Sequence, residues 1–266
     1  MRTIKIVLAY DGTAFVGWQR QANGRSVQGA LEEALSRIEG QPVAVVGAGR
    51  TDAGVHALGQ VASVRLTSAI ARSSLRHALN AILPADVRIV DVEEAPAQFN
   101  ARFEARSKTY RYRIFNAEVM NPFERWFAWH LPRALDVEAM AAAAARLTGR
   151  HDFAAFQAAG GVVSGSVRTL GESRWLEEAH GGSGRGPTLA YQISGDGFLR
   201  HMVRNIVGTL VEVGTGRRTP ASMEPLLASR DRSEAGPTAP AHGLCLVRVE
   251  YEEAGPVTEG AGDDVA

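Results

Sequence analysis

Between Thr3 and Glu93 the apolar residues switch between the two-residue period of a strand and the ~3.6-residue period of a helix, in the order βαββαβ. Thr3–Ala9 alternates and is rich in Ile and Val. Ser26 is placed to cap a helix whose Val27, Leu31, Leu35 and Ile38 share one face, and Gly40 with Pro42 stops it. Val43–Gly47 and Gly59–Leu66 read as strands joined by a glycine-containing connection. Ser73 or Ser74 is expected to cap a second helix carrying Leu75, Leu79 and Ile82, with Pro84 as its stop, and Val87–Glu93 follows as a strand. That order fits a ferredoxin-like antiparallel sheet with two helices on one face.

The rest of the chain repeats the plan less clearly. Thr109–Phe115 is a strand with Tyr110, Tyr112 and Ile114 on alternate positions. Asp136 caps an alanine-rich helix running to Leu147, ended by Gly149. Leu170–Leu176 and Thr188–Ser194 are strands on either side of a glycine-rich connector, Gly181–Pro187. Leu199–Val213 reads as a strongly apolar helix, Thr219-Pro220 as the start of another that Pro225 should kink or break, and Leu244–Tyr251 as a closing strand. The fold class expected is α+β: two ferredoxin-like halves, residues 1–104 and 105–252, joined edge to edge with a cleft between them. The stretch 253–266 is expected to be a disordered acidic tail.

Composition narrows the function. No apolar run approaches the ~20 residues that span a bilayer, and no charged-then-apolar leader is visible, so neither a membrane span nor a secretory signal is expected. Cys245 is the only cysteine, and no two histidines stand at helical metal-ligand spacing; no metal site is indicated and a reducing cytoplasm is the expected setting. The 29 basic and 29 acidic residues balance, but six acids and no Lys or Arg fall between Glu250 and Ala266. The body is therefore moderately basic, and all its cations but Lys5 and Lys108 are arginine. Arginine suits phosphate forks and stacking on bases, though an arginine-rich genome gives the same count.

Three segments could carry chemistry. Gly47 to His56 (Gly-Ala-Gly-Arg-Thr-Asp-Ala-Gly-Val-His) lies between two strands. It lacks the third glycine of a dinucleotide fingerprint and the Gly-Lys-Ser/Thr of a P-loop. It reads either as an Asx-type turn or as a mount for one positioned carboxylate, Asp52, kept ionised by Arg50 beside it. Phe99 to Arg113 interleaves five cations with four aromatics, which suits an unstacked base with its phosphates and equally a strand with a basic outer face. In Gly195 to Gly208 the anomaly is Arg204 inside an apolar helix; it needs an anion, with Asp52, Glu212 or a phosphate as candidates. His201 reads as a structural or surface residue. A non-enzymatic RNA-binding module is the competing reading, and a nucleotide hydrolase would need a second acid or a metal cluster.

At these segments the chain resembles the TruA-type tRNA pseudouridine synthases. The likeness is carried by Tyr10-Asp11-Gly12, Gly17-Trp18-Gln19-Arg20-Gln21, Gly49 to His56, Phe103 to Tyr112 and His201 to Gly208, in order from about Ile4 to Tyr251. The resemblance implies an isomerase that converts uridine to pseudouridine at positions 38, 39 and 40 of the tRNA anticodon stem-loop. It further implies action without metal or organic cofactor, and a homodimer in which one tRNA contacts both subunits. Carried over by position, Asp52 is the catalytic aspartate and Arg50 helps extrude the uridine and orient Asp52. Tyr110 stacks on the target base, Arg204 pairs with Asp52, and Leu244 supplies an apolar wall. Arg20, Arg102 and Arg168 are further candidates for tRNA contacts.

Overall fold

The computed structural model describes residues 1–158, 165–178 and 188–252; the expected Gly181–Pro187 connector and acidic tail lie outside the described residues. The first series of elements is β1 (Arg2–Tyr10), α1 (Val27–Glu39), β2 (Val45–Gly47), β3 (His56–Leu66), α2 (Arg72–Ile82) and β4 (Val87–Ala95). Alternation in β1 sends Ile4, Ile6 and Leu8 fully into the core. Removing side chains of this size from water stabilises the fold by about 1.5–3 kcal/mol each. Helix α1 begins where expected, Ser26 Oγ accepting from the Gly29 N–H at 3.2 Å, and ends at Gly40, whose φ of 70° suits a residue without Cβ. Helix α2 departs from expectation. It starts after Ala71 with no side-chain cap, so Ser73 and Ser74 lie inside its first turn.

The second series is β5 (Ser107–Phe115), the two-residue β6 (Trp129–His130), α3 (Val137–Ala145), β7 (Gly149–Asp152), β8 (Val167–Glu178), β9 (Thr188–Gly195), α4 (Met202–Gly214), α5 (Met223–Ser229) and β10 (Leu244–Glu250). Asp136 caps α3 by accepting from the Ala139 N–H at 2.9 Å. Helix α4 begins three residues later than the apolar pattern suggested, because His201 is left-handed (φ 60°) and cannot continue a right-handed helix. Pro225 neither kinks nor breaks α5. It falls in the first turn, where an N–H has no intrahelical partner to lose, and the interruption lies earlier, at the 3₁₀ turn Pro220–Ser222.

The described strands form one mixed, mostly antiparallel sheet in the order β4-β1-β3-β10-β5-β9-β8-β7, with β2 added on β3 and β6 on β5. The seam between the two series is the parallel pairing of β10 with β3, Cys245 opposite His56 and Leu246 opposite Ala57. β2 shares that same edge of β3 but pairs with its far end, Ala62 to Val64. The start of β10 is therefore fixed beside the start of β3, where the Gly47–His56 segment re-enters the sheet. No helix among the described residues is long and apolar enough to cross a membrane.

Candidate active site

The loop joining β2 to β3 is held mainly by its backbone. Trp18 N–H donates to Thr51 O at 3.0 Å, Gly54 N–H to Phe15 O at 3.4 Å, and Val55 N–H to Asp52 O at 3.1 Å. Gln60 Nε2 donates to Gly49 O at 3.0 Å, and the buried Tyr10 hydroxyl lies 2.8 Å from Thr51 Oγ1. Gly12 is pressed so closely to the loop that a Cβ there would stand 2.0 Å from Val55 O. Its N–H donates to His56 Nδ1 at 3.0 Å, while His56 Nε2 reaches the carbonyls of Trp126 (2.9 Å) and His242 (3.1 Å). The Tyr10-Asp11-Gly12 and Gly17-Trp18 runs thus act as a clasp on the loop.

The clasp leaves Asp52 one-third exposed, its carboxylate turned toward the start of α4. Arg204 Nη1 stands 3.3 Å from Asp52 Oδ2, and the same guanidinium donates through Nε to Ala239 O at 2.7 Å. Of the two carboxylates the sequence offered as partners, Arg204 meets Asp52, while Glu212 is engaged by Arg218. The segment is a tight turn, closed from Val55 N–H to Asp52 O with Gly54 at φ 78°, but the carboxylate is turned to another element rather than to its own backbone. His201 Nε2 lies 3.4 Å from the same Oδ2. Burial lowers the His201 pKa, with Arg204, Arg200 and Arg232 acting in the same sense and Asp52 against them.

Tyr110 is buried on β5, its ring meeting Phe198 edge-on at 5.0 Å. Burial, then the charges of Tyr10 and Asp52, raise its pKa well above the ordinary tyrosine value, so its phenol keeps its proton. Leu244 is buried at the first position of β10, opposite Tyr112. Lys108 lies two residues before Tyr110, its Nζ over Gly49; burial, then Arg102, lower its pKa.

The remaining candidates scatter. Arg50 is exposed, and the side chains that meet Asp52 are Arg204 and His201 rather than Arg50. Arg102 is exposed over the Phe103 ring at 5.7 Å, near Lys108. Arg168 packs beside Gly197, one residue before Phe198, at the margin of the site. Arg20 pairs with Glu32 of α1 at 3.1 Å and is not joined to Asp52 by any contact among the described residues. Strand alternation also divides the basic segment. Arg111 and Arg113 face away from Tyr110, toward Gln192 and Glu124.

A family model described as tRNA pseudouridine synthase matches residues 6–104 and 143–252. This chain belongs to that family. Three curated relatives, each named tRNA pseudouridine synthase A, illustrate the likeness. That of Geotalea uraniireducens is 45% identical over 94% of this chain and 100% of its own. That of Moorella thermoacetica is 47% identical over 94% and 100%, and that of Myxococcus xanthus 45% identical over 98% and 97%.

As a pseudouridine synthase the protein is an isomerase. The candidate site brings together the Asp52 carboxylate, Arg204 and His201 from the opposite series of elements, and the Tyr110 ring. His201 was passed over in the sequence because a single histidine carries no spacing signal. Phe198 was passed over for the same reason, as a lone ring in a glycine-rich approach. Lys108 was counted among five cations, and only the placement of Gly49 against it sets it apart.

Proposed function

We propose that this protein converts uridine to pseudouridine in tRNA, at positions 38, 39 and 40 of the anticodon stem-loop, with Asp52 as its catalytic carboxylate. The observation that carries the reading is the Asp52–Arg204 pair beside Tyr110, spanning both series of elements. A module that only bound RNA would lose affinity by holding an anionic carboxylate in a cleft for phosphates. The tRNA substrate and its positions follow from the relatives' name and the family resemblance, which also extend the proposal to a cytoplasmic homodimer. The division into ferredoxin-like units at 1–104 and 105–252 is supported by the strand orders β4-β1-β3-β2 and β10-β5-β9-β8.

In the reaction the N1–C1′ bond breaks, the uracil turns, and a C5–C1′ bond forms. The hydrogen on C5 leaves as a proton and N1 takes one up, so no atoms or electrons are gained. The target must first leave its stack, at a cost of a few kcal/mol. Stacking on Tyr110 recovers ~1–3 kcal/mol of that, with Leu244 as the apolar wall. Arg50, exposed two residues before Asp52, occupies the space of the departing base, and Arg102, Arg168 and Arg20 serve the phosphates.

The test is incubation with unmodified tRNA carrying tritium at uridine C5. Release of label to water is the expected result. Binding with all label retained would make the protein a module, and chain cleavage a hydrolase. Tyr110→Phe, which keeps the ring, is expected to bind tRNA at least about fivefold better than Tyr110→Ala, from the same stacking energy; equal loss in both would remove the stacking role.

A further inference from the structure

Asp52 takes both of its side-chain partners on one oxygen. Arg204 Nη1 is 3.3 Å and His201 Nε2 3.4 Å from Oδ2, and among the described residues no hydrogen bond or ion pair reaches Oδ1. The backbone at His201 is what makes this possible. With φ 60° and ψ 3°, it is one of two non-glycine residues at positive φ among those described, the other being Arg230 on the surface. The imidazole makes no capping hydrogen bond to α4, so starting the helix does not require it. Strain of this kind persists where the surroundings over-determine it, often at functional sites.

The charged groups acting on the ring are Asp52, Arg204, Arg200 and Arg232; the three cations and burial favour its neutral form. A neutral ring protonated at Nε2 donates to a carboxylate without adding a fourth positive charge. Its present 3.4 Å is long, as contacts in unliganded sites often are before substrate tightens them.

Resting on the reading of Asp52 as the catalytic carboxylate, we propose that His201 is a positioning residue for the isomerisation. Its Nε2–H and the Arg204 guanidinium together anchor Oδ2, so that Oδ1 is the oxygen presented to the extruded nucleotide. The left-handed backbone aims the ring.

His201→Gly separates the ring from the backbone, because glycine holds φ 60° without strain. The expected result is a kcat about 10- to 100-fold lower, the worth of one hydrogen bond to a charged group. The KM for tRNA and the unfolding temperature stay within error, and added free imidazole restores part of the lost rate. His201→Asn, which also tolerates positive φ, provides the same split of kcat from KM should the glycine chain fold poorly. Wild-type kcat, or a loss that imidazole leaves untouched, overturns the assignment. Asp52→Asn run in parallel keeps the two claims apart. Activity surviving in Asp52→Asn sinks the catalytic reading and this one with it, whereas an inert Asp52→Asn beside a fully active His201→Gly sinks only the role of His201.

Discussion

In the N-terminal half the carboxylate rides on a loop fixed through its backbone; in the C-terminal half its partners are side chains projecting from the start of α4. Thr51, Gly54 and Val55 are tied by main-chain bonds to Trp18, Phe15 and Asp52, and such bonds survive most substitutions. Arg204 and His201 reach the same carboxylate only through the ends of their side chains. The side that carries Asp52, the proposed reacting group, is therefore rigid by construction, and the side that meets it through side chains is open to change by a single residue. Substitution on the loop should act through sterics, and substitution on the helix through lost charge and hydrogen bonding.

The largest effect belongs to the carboxylate itself. Asp52→Asn preserves shape and the backbone clasp while removing the charge, so turnover should fall at least about 10³-fold, the scale seen when a catalytic carboxylate is removed. Affinity for tRNA should stay within a small factor. Label release from C5-tritiated tRNA and a filter-binding isotherm read the two quantities, and retained turnover would remove Asp52 from the chemistry.

Next comes the clasp. Gly12→Ala places a methyl 2.0 Å from Val55 O, so the loop must shift bodily. Overpacking of this kind costs about 1–3 kcal/mol of stability, and displacing a reacting group by ~1 Å can cost about 100-fold in rate. Denaturant unfolding and kcat on the same sample check both. A variant destabilised to that extent but fully active would show that the Tyr10-Asp11-Gly12 run supports the fold alone.

The contrast between the halves also explains what could be read before the structure. Strand and helix alternation in the first series was legible because Ile4, Ile6, Leu8 and Val27, Leu31, Leu35 each occupy one face with a clear period. Asp52, Tyr110 and Arg204 stand in motifs that the sequence displays, and the structure brings the three together; the Asp52–Arg204 contact is among the pairings that burial of an arginine demands. Arg50 as partner of Asp52 failed because adjacency in a loop does not fix side-chain direction. The start of α4 failed because the left-handed turn at His201 leaves no mark on apolar spacing. His201 itself was out of reach for the same reason: one torsion angle brings its ring to Asp52.

On the helix side, Arg204→Lys keeps the charge but offers one nitrogen where the guanidinium reaches Asp52 and Ala239 O through two. A tenfold or somewhat larger fall in kcat is expected, from about 1.5–3 kcal/mol for a hydrogen bond to a charged group. KM should change little. An equal loss in Arg204→Lys and Arg204→Met would mean that charge contributes nothing and the fork geometry everything.

The smallest effect tests whether side chains matter on the loop side at all. The Tyr10 hydroxyl and Thr51 Oγ1 are buried 2.8 Å apart, and Gln60 Nε2 stands 3.4 Å from the same hydroxyl. Tyr10→Phe strands the Thr51 hydroxyl, and Thr51→Val leaves the tyrosine hydroxyl only its longer contact with Gln60. Each should cost about 1 kcal/mol and lower kcat by no more than a few fold, because the backbone clasp remains. The two losses share one bond, so Tyr10→Phe with Thr51→Val should cost clearly less than the sum of the singles. Additive losses would mean that each hydroxyl has a different main partner. A rate loss approaching that of Gly12→Ala would mean that the loop is held by this side-chain pair as much as by its main chain, and the contrast between the halves would then disappear.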